Sequence, residues 1–215
     1  MVEIDRITDV IKHIDGLKAV VFDLDDTLYS EKEYVKSGYK AVAAYLGDKK
    51  FADKLWEYFE SKKPAIDELL SEIGRIDEKE RCLEVYREHS PTIELYNGVA
   101  EIIKGLKSNG IKVGIITDGR VSGQKKKIEA LGLDELVDDI IITDELGGIQ
   151  FRKPCDIAFR IIQNRWRIPY EQIIYIGDNP AKDFTAPKKL GMRSIYFANK
   201  DGLYSHMGNF SFKNR

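Results

Sequence analysis

Cysteine is nearly missing: there are two in 215 residues, Cys82 and Cys155, far apart and without the short spacing of a metal site. A disulfide framework is not expected, and a reducing, cytoplasmic setting suits the chain. Histidine is almost as scarce, and His13, His89 and His206 share no metal-type spacing, so all three are expected to be structural or exposed. No apolar run approaches the roughly 18 residues that a bilayer span needs. The opening MVEIDRITDVIKHIDG carries acids throughout and has no apolar stretch of the signal-peptide kind. An excess of basic charge is lacking too. Lys and Arg number 34 against 36 Asp and Glu, for a formal net charge of −2. That speaks against a nucleic-acid partner or an anionic membrane surface. Lys49-Lys50 and Lys125-Lys126-Lys127 are short, sit near acids and are expected to be solvated faces.

What is present is ordinary globular material, with 43% hydrophobic and 33% charged residues, enough for one buried domain and a smaller accessory one. Ile4, Ile7, Ile11 and Ile14 form an apolar stripe that predicts an amphipathic helix over residues 1–16, closed by Gly16. Packing on the main domain is the plain expectation for it; a dimer seam is the sharper one, so monomer and homodimer both stay open. Short apolar runs follow at Lys18–Asp23, Ile111–Ile116, Ile140–Thr143, Ile173–Ile176 and Arg193–Phe197. Such runs suit strands covered on both faces. Helix-period segments lie between them at Gly98–Asn109, Ser122–Leu131, Asp156–Trp166 (with Pro154 near its first turn) and Ala181–Leu190. The alternation predicts an α/β fold, a doubly wound parallel sheet with helices on both faces.

One stretch breaks the alternation. From about Glu31 to His89 the pattern is helical only, with stripes such as Val35, Tyr39, Val42 and Leu46. It is too long for a connection. The expected division is a core of residues 1–29 and 96–215 and a helical cap of residues 30–95. Tyr29 at its border and Tyr34, Lys36 and Tyr39 within it either face a substrate or belong to helix packing or plain surface; Trp56 and Trp166 are expected in the core. The tail from Asn199 carries no functional reading.

The strand candidates end in polar residues. The first gives Asp23, then Asp25 and Thr27; another gives Thr117 and Asp118; a later one gives Gly177 and Asp178, with Asp183 following. Ligands of open parallel sheets bind outside those ends. Lys153 joins from a loop before a helix. Crowded carboxylates need a hard cation to stay ionised, and magnesium takes oxygen ligands while keeping waters for phosphate. A carboxylate beside a bound phosphate is a competent nucleophile. A second acid must protonate the leaving alkoxide and then activate water, and Asp25 is placed for that.

These motifs resemble those of the haloacid dehalogenase (HAD) superfamily, in particular its phosphatases with a helical cap. Asp23-Leu-Asp25-Asp-Thr27-Leu28 matches the first motif and Ile115-Ile-Thr117-Asp-Gly119 the second. Lys153-Pro154 matches the third and Gly177-Asp178-Asn-Pro-Ala-Lys-Asp183 the fourth. Four motifs in order, spanning about Lys18 to Phe197, are a specific signal. The resemblance implies Asp23 as nucleophile and metal ligand, and Asp25 as acid/base with its carbonyl on the metal. It implies phosphate binding by Thr117, Asp118, Gly119 and Lys153. Asp178 would ligate Mg2+, and Asp183 would support the metal or Lys153. The implied activity is hydrolysis of a small phosphorylated metabolite, a sugar phosphate or nucleotide, through an aspartyl-phosphate. A phosphosugar mutase and a non-catalytic phosphate-binding regulatory module are the alternatives. Asp25 favours phosphoryl transfer over dehalogenation, since dehalogenating members lack an acid there. Asp26 departs from the Gly of many members, and Cys155 is given no catalytic role.

Overall fold

The computed structural model describes residues 1–203 and 205, so His206 and most of the tail lie outside the described residues. The chain forms two compact units, one of Met1–Glu31 with the chain from Glu94 onward, the other of Lys32–Ile93. In chain order the strands and α-helices are β1 (Val2–Ile4), β2 (Ala19–Phe22), α1 (Glu31–Leu46), α2 (Phe51–Glu60), α3 (Ala65–Glu72), α4 (Lys79–Glu88), α5 (Val99–Ser108), β3 (Lys112–Thr117), α6 (Val121–Ala130), α7 (Leu133–Leu136), β4 (Asp139–Ile142), α8 (Ile157–Trp166), β5 (Ile173–Gly177), α9 (Thr185–Leu190) and β6 (Arg193–Phe197). Among the described residues no helix is long and apolar enough to cross a membrane.

The first unit carries a six-stranded sheet in the order β1-β6-β5-β2-β3-β4. Every pairing is parallel. All four residues of β2 are buried, as its unbroken apolar run requires of a central strand. After β2 the chain builds outward through β3 and β4, then crosses to the other side for β5 and β6. The order therefore reverses at β2, where α/β sheets open a crevice at their C-terminal edge. Register aligns that edge: Phe22 faces Ile115 of β3 and Ile176 of β5. Asp23, Thr117 and Asp178 consequently emerge side by side. Beneath them, one face of the sheet packs Val21, Ile116 and Tyr175 against Phe159 and Ile162 of α8.

The expected helix over residues 1–16 is not formed. Val2–Ile4 is an edge strand on β6, and Ile7–His13 is a 3-10 helix. Two spacings explain the misreading. A strand of three residues is too short to show alternation, and Ile7 with Val10, both buried, is an i,i+3 pair suited to three residues per turn. The predicted stripe is split, with Ile4 and Ile7 buried and Ile11 54% exposed. Helix α9 is also shorter than expected. Residues 181–184 form a turn tied by Ala181 N–H to Asn179 Oδ1 (3.0 Å) and Asp183 N–H to the Asn179 carbonyl (3.0 Å). Pro154 lies in the loop before α8, not in its first turn.

The second unit is helical throughout. Val35, Tyr39, Val42 and Leu46 of α1 pack with Leu55, Leu69, Leu70 and Cys82 from α2, α3 and α4. Tyr39 is thus a core residue, Lys36 Nζ lies 4.3 Å above the partly buried Trp56 ring, and Tyr34 packs on His89. Of these three, Tyr39 is buried, Tyr34 half-buried and Lys36 exposed. Gly38 is needed where α1 passes Tyr86, since a Cβ there would collide with the ring. Gly38→Ala should gain about 1 kcal/mol of helix propensity. It should lose about 1–3 kcal/mol to overpacking, so a lower urea midpoint is expected, with Tyr86→Leu restoring it. An unchanged or higher midpoint for the single variant would show that the ring yields freely.

Candidate active site

Asp23 follows β2 directly, and its N–H donates to the Ile176 carbonyl (2.8 Å), which extends the sheet by one bond and fixes the side chain's origin. The chain then turns. Leu24 and Leu28, both fully buried, anchor the two ends of the turn, with Leu28 N–H on the Leu24 carbonyl at 3.0 Å. Asp26 sits at φ 53, the left-handed region, which explains why glycine suits this position. Asp tolerates it here because its carboxylate accepts from the N–H groups of Glu31 (2.9 Å) and Leu203 (2.6 Å).

Lys153 holds the centre. Its side chain has no exposure, and Nζ lies 2.7 Å from Asp23 Oδ1 and 2.8 Å from Asp183 Oδ1. It also donates to the Tyr175 hydroxyl (2.8 Å), which in turn donates to Asp183 (3.2 Å). The other Asp183 oxygen accepts from the Asn179 N–H (2.9 Å). Gly177 must lack a side chain, because a Cβ there would strike the Asp183 carboxylate. Asp178 is buried, with the Thr27 hydroxyl 3.4 Å from Oδ1. One oxygen from each of Asp23, Asp178 and Asp183 lies within 4.8 Å of the others. Three buried carboxylates at that spacing fit a hard, oxygen-preferring cation.

The remaining expected residues divide. Thr117 is fully buried at the end of β3, and its hydroxyl accepts from Gln124 Nε2. Gly119, at φ 138, packs on the Gln124 side chain. The Asp118 carboxylate is engaged by the Thr143 hydroxyl (2.9 Å), the Lys153 N–H (3.0 Å) and Lys182 Nζ (3.4 Å). It braces the loop that carries Lys153. The Asp25 side chain lies apart from the three-carboxylate group. Its Oδ1 takes Lys127 Nζ (2.7 Å) and the Tyr29 hydroxyl, and its Oδ2 takes Gln124 Nε2 (2.9 Å).

Several of these partners escaped the sequence. Lys127 is not a solvated lysine: it is 5% exposed and paired to Asp25. Its neighbour Lys125 is the surface residue, pairing with Glu145. The usable signal was Gln124 with Lys127, an i,i+3 polar pair on the face of α6 that follows the second motif. Tyr29 belongs to the sheet unit, buried against Asp25. Tyr175 hides in an apolar run, and Lys182 reaches to 3.9 Å from Asp23.

Electrostatics follow the geometry. Burial, with the charges of Asp23, Asp183 and Asp26, pushes the Asp178 carboxyl up to about 9. Burial raises Asp23 to about 6, with Lys153 and Lys182 opposing. Burial would lower Lys153, but Asp183, Asp23 and Asp118 raise it above its ordinary value. Burial would likewise raise Asp25, yet Lys127, Tyr29 and Gln124 together hold it below the ordinary carboxylate range.

A parallel sheet whose central strands deliver two aspartates and a threonine to one edge, joined there by a buried lysine, defines a hydrolase of a specific family. The chain belongs to the haloacid dehalogenase-like hydrolases, whose family model matches residues 20–197. It is 29% identical over 197 residues to glyceraldehyde 3-phosphate phosphatase of Methanocaldococcus jannaschii, covering 83% of this chain and 84% of that one. It is 27% identical over 185 residues to pyrophosphatase PpaX of Halalkalibacterium halodurans, covering 83% and 82%. Among solved structures, a subfamily IA HAD hydrolase from Geobacter sulfurreducens superposes with a TM-score of 0.66 at 16% identity, covering 86% and 88%. The magnesium-bound HAD-hydrolase YfnB of Bacillus subtilis superposes at 0.61 and 20%, covering 85% and 87%. These two likenesses concern the fold.

Raised carboxyl pKa values have a consequence for stability. The native chain keeps protons on Asp23 and Asp178 that the unfolded chain has released above the usual carboxylate range. Chelator-treated protein should therefore lose stability as pH rises from about 5 to about 9. A divalent cation held by these carboxylates would need them ionised, so any rise in Tm on adding Mg2+ should be larger at pH 8.5 than at pH 5.5. Thermal denaturation with EDTA and with Mg2+ at both values checks this; an increment that shrinks with pH would contradict cation binding by Asp23 and Asp178.

Proposed function

We propose that the chain is a magnesium-dependent phosphomonoester hydrolase working through an aspartyl-phosphate on Asp23. The observation that carries this reading is the buried Lys153 ammonium bridging Asp23 and Asp183, beside Asp178, at the edge that also presents Thr117. Magnesium would be held by Asp23 and Asp178 and the Asp25 carbonyl, with Asp183 in support. It would supply positive charge against the phosphate.

In the first step an Asp23 oxygen bonds to phosphorus, the bond from phosphorus to the leaving oxygen breaks, and Asp25 gives that oxygen a proton. In the second, Asp25 takes a proton from water as the water oxygen bonds to phosphorus. The Asp23–phosphorus bond then breaks, releasing phosphate and restoring the carboxylate. Lys153 offsets charge in both steps, and Thr117 with the N–H groups of Asp118 and Gly119 donates to the phosphoryl oxygens. The substrate class is a small phosphorylated metabolite, a sugar phosphate or nucleotide. The names of the relatives support a triose phosphate, and PpaX adds pyrophosphate as a compound to test. Residues 30–95 form the substrate-selecting cap in this reading, and residues 1–29 and 96–215 the catalytic core. Asp25 argues against dehalogenation, and the complete motif set against a regulatory module. A mutase would isomerise a hexose phosphate without releasing phosphate.

Phosphate release should be measured on glyceraldehyde 3-phosphate, pyrophosphate, hexose phosphates and nucleoside monophosphates, with Mg2+ and with EDTA. Asp23→Asn should lower turnover by at least about a thousandfold, and Asp25→Asn by about 10²–10⁴. Acid quenching should trap phosphate on the wild-type chain and none on Asp23→Asn. Full turnover by Asp23→Asn would end the proposal.

A further inference from the structure

The geometry points to Lys127, assisted by Gln124, as a positioning residue that aims the Asp25 carboxylate. This inference rests on the phosphatase reading just given. It starts from an asymmetry between two acids of one short loop. Asp23 is gripped from Lys153, whereas Asp25 is gripped from α6. Lys127 Nζ sits 2.7 Å from one Asp25 oxygen, with the Tyr29 hydroxyl on that same oxygen, and Gln124 Nε2 sits 2.9 Å from the other. Three donors over two oxygens fix both the direction and the rotation of the carboxylate. Lys127 and Gln124 are themselves buried, at 5% and 3% exposure, so neither is free to swing as a surface side chain does.

Gln124 also donates to the Thr117 hydroxyl from the same Nε2. One amide therefore couples the proposed acid/base to the proposed phosphate ligand, and α6, which begins four residues after Thr117, sets both. Burying a lysine costs several kcal/mol unless it is paired. The 2.7 Å pairing with Asp25 offsets that cost. An acid/base must hold its reactive oxygen within hydrogen-bond reach of the group it serves, and small misplacements cost large factors in rate. The helix face Gln124-x-x-Lys127 supplies that constraint.

Leaving-group dependence tests it. A p-nitrophenolate leaves without a proton, while an alkoxide needs one, and kcat/KM reports the step in which the leaving group departs. Lys127→Met should lower kcat/KM by about 100-fold for an alkyl monoester such as glyceraldehyde 3-phosphate, but by no more than about fivefold for p-nitrophenyl phosphate. Lys127→Arg should recover part of the alkyl-ester loss. In an Asp25→Asn background, Lys127→Met should add almost nothing, because both changes remove one function. Gln124→Met keeps the lysine and should give the same split at about tenfold, which serves if Lys127→Met folds poorly. Binding of beryllofluoride with Mg2+ should persist in Lys127→Met, since the substitution leaves Asp23, Asp178, Lys153 and the Gln124–Thr117 bond in place. Equal losses on both esters, or full additivity with Asp25→Asn, would overturn the role of Lys127. A wild-type chain inert on both esters would instead overturn the phosphatase reading, and this inference with it.

Discussion

One buried ammonium organises the site. Lys153 lies between Asp23 and Asp183, with no exposure of its own side chain, and every other charged group there is placed relative to it. Removing either partner from a buried pair costs about 3–5 kcal/mol, because the remaining charge stays desolvated. That penalty ties the loop before α8 to the ends of β2 and β5. It also sets a charge imbalance. Asp23, Asp178 and Asp183 crowd within a few ångströms, and one fully buried lysine cannot offset three carboxylates. Burial, and after it the neighbouring carboxylates, raise the pKa values of Asp178 and Asp23 so that both retain protons. A divalent cation removes the same imbalance, and metal and protons therefore compete for one set of oxygens.

The sheet makes this arrangement attainable from residues far apart in the chain. Parallel strands in register bring equivalent ends to one edge, and β2 stands where the strand order reverses. Asp23 and Asp178 then come from adjacent strands, and Thr117 from the strand on the other side. Gly177 and Tyr175 show how closely the fold serves the site. The first vacates the volume that the Asp183 carboxylate fills, and the second spends its ring on the core and its hydroxyl on Lys153. Neither residue carries chemistry, yet both limit where Lys153 can rest.

Most of this was readable before any coordinates. Five of the six strands announce themselves as apolar runs, since their buried stretches take apolar residues at successive positions. The four motif residues Asp23, Thr117, Lys153 and Asp178 do end where the sheet brings them together. What escaped did so for physical reasons. Strand β1 is three residues long and gains its order from pairing with β6, a tertiary contact that leaves no local pattern. Lys127 looked like one of three surface lysines, because burial of a charged residue is decided by a partner 102 positions away in the chain. Tyr29 closes the expected core segment, but nothing local signals that its hydroxyl meets Asp25. Asp118 shows what the second motif did not disclose: its carboxylate accepts from the Lys153 N–H and the Thr143 hydroxyl.

The two acids of the first motif show why sequence proximity is a poor guide to role. Asp23 and Asp25 share a turn, but burial drives the first up to about 6 while Lys127, Tyr29 and Gln124 overcome burial at the second. Separated environments of this kind are how a fold assigns different tasks to like groups. In the reaction proposed above, an Asp25 held ionised would suit the step that takes a proton from water. Giving a proton to the leaving group would require the reverse, and the negative charge of a bound phosphate beside Asp25 would raise that carboxyl and favour the protonated form. Once that proton had passed to the leaving group, the carboxylate would be left ionised beside Lys127, the form that the proposed second step would use as a base.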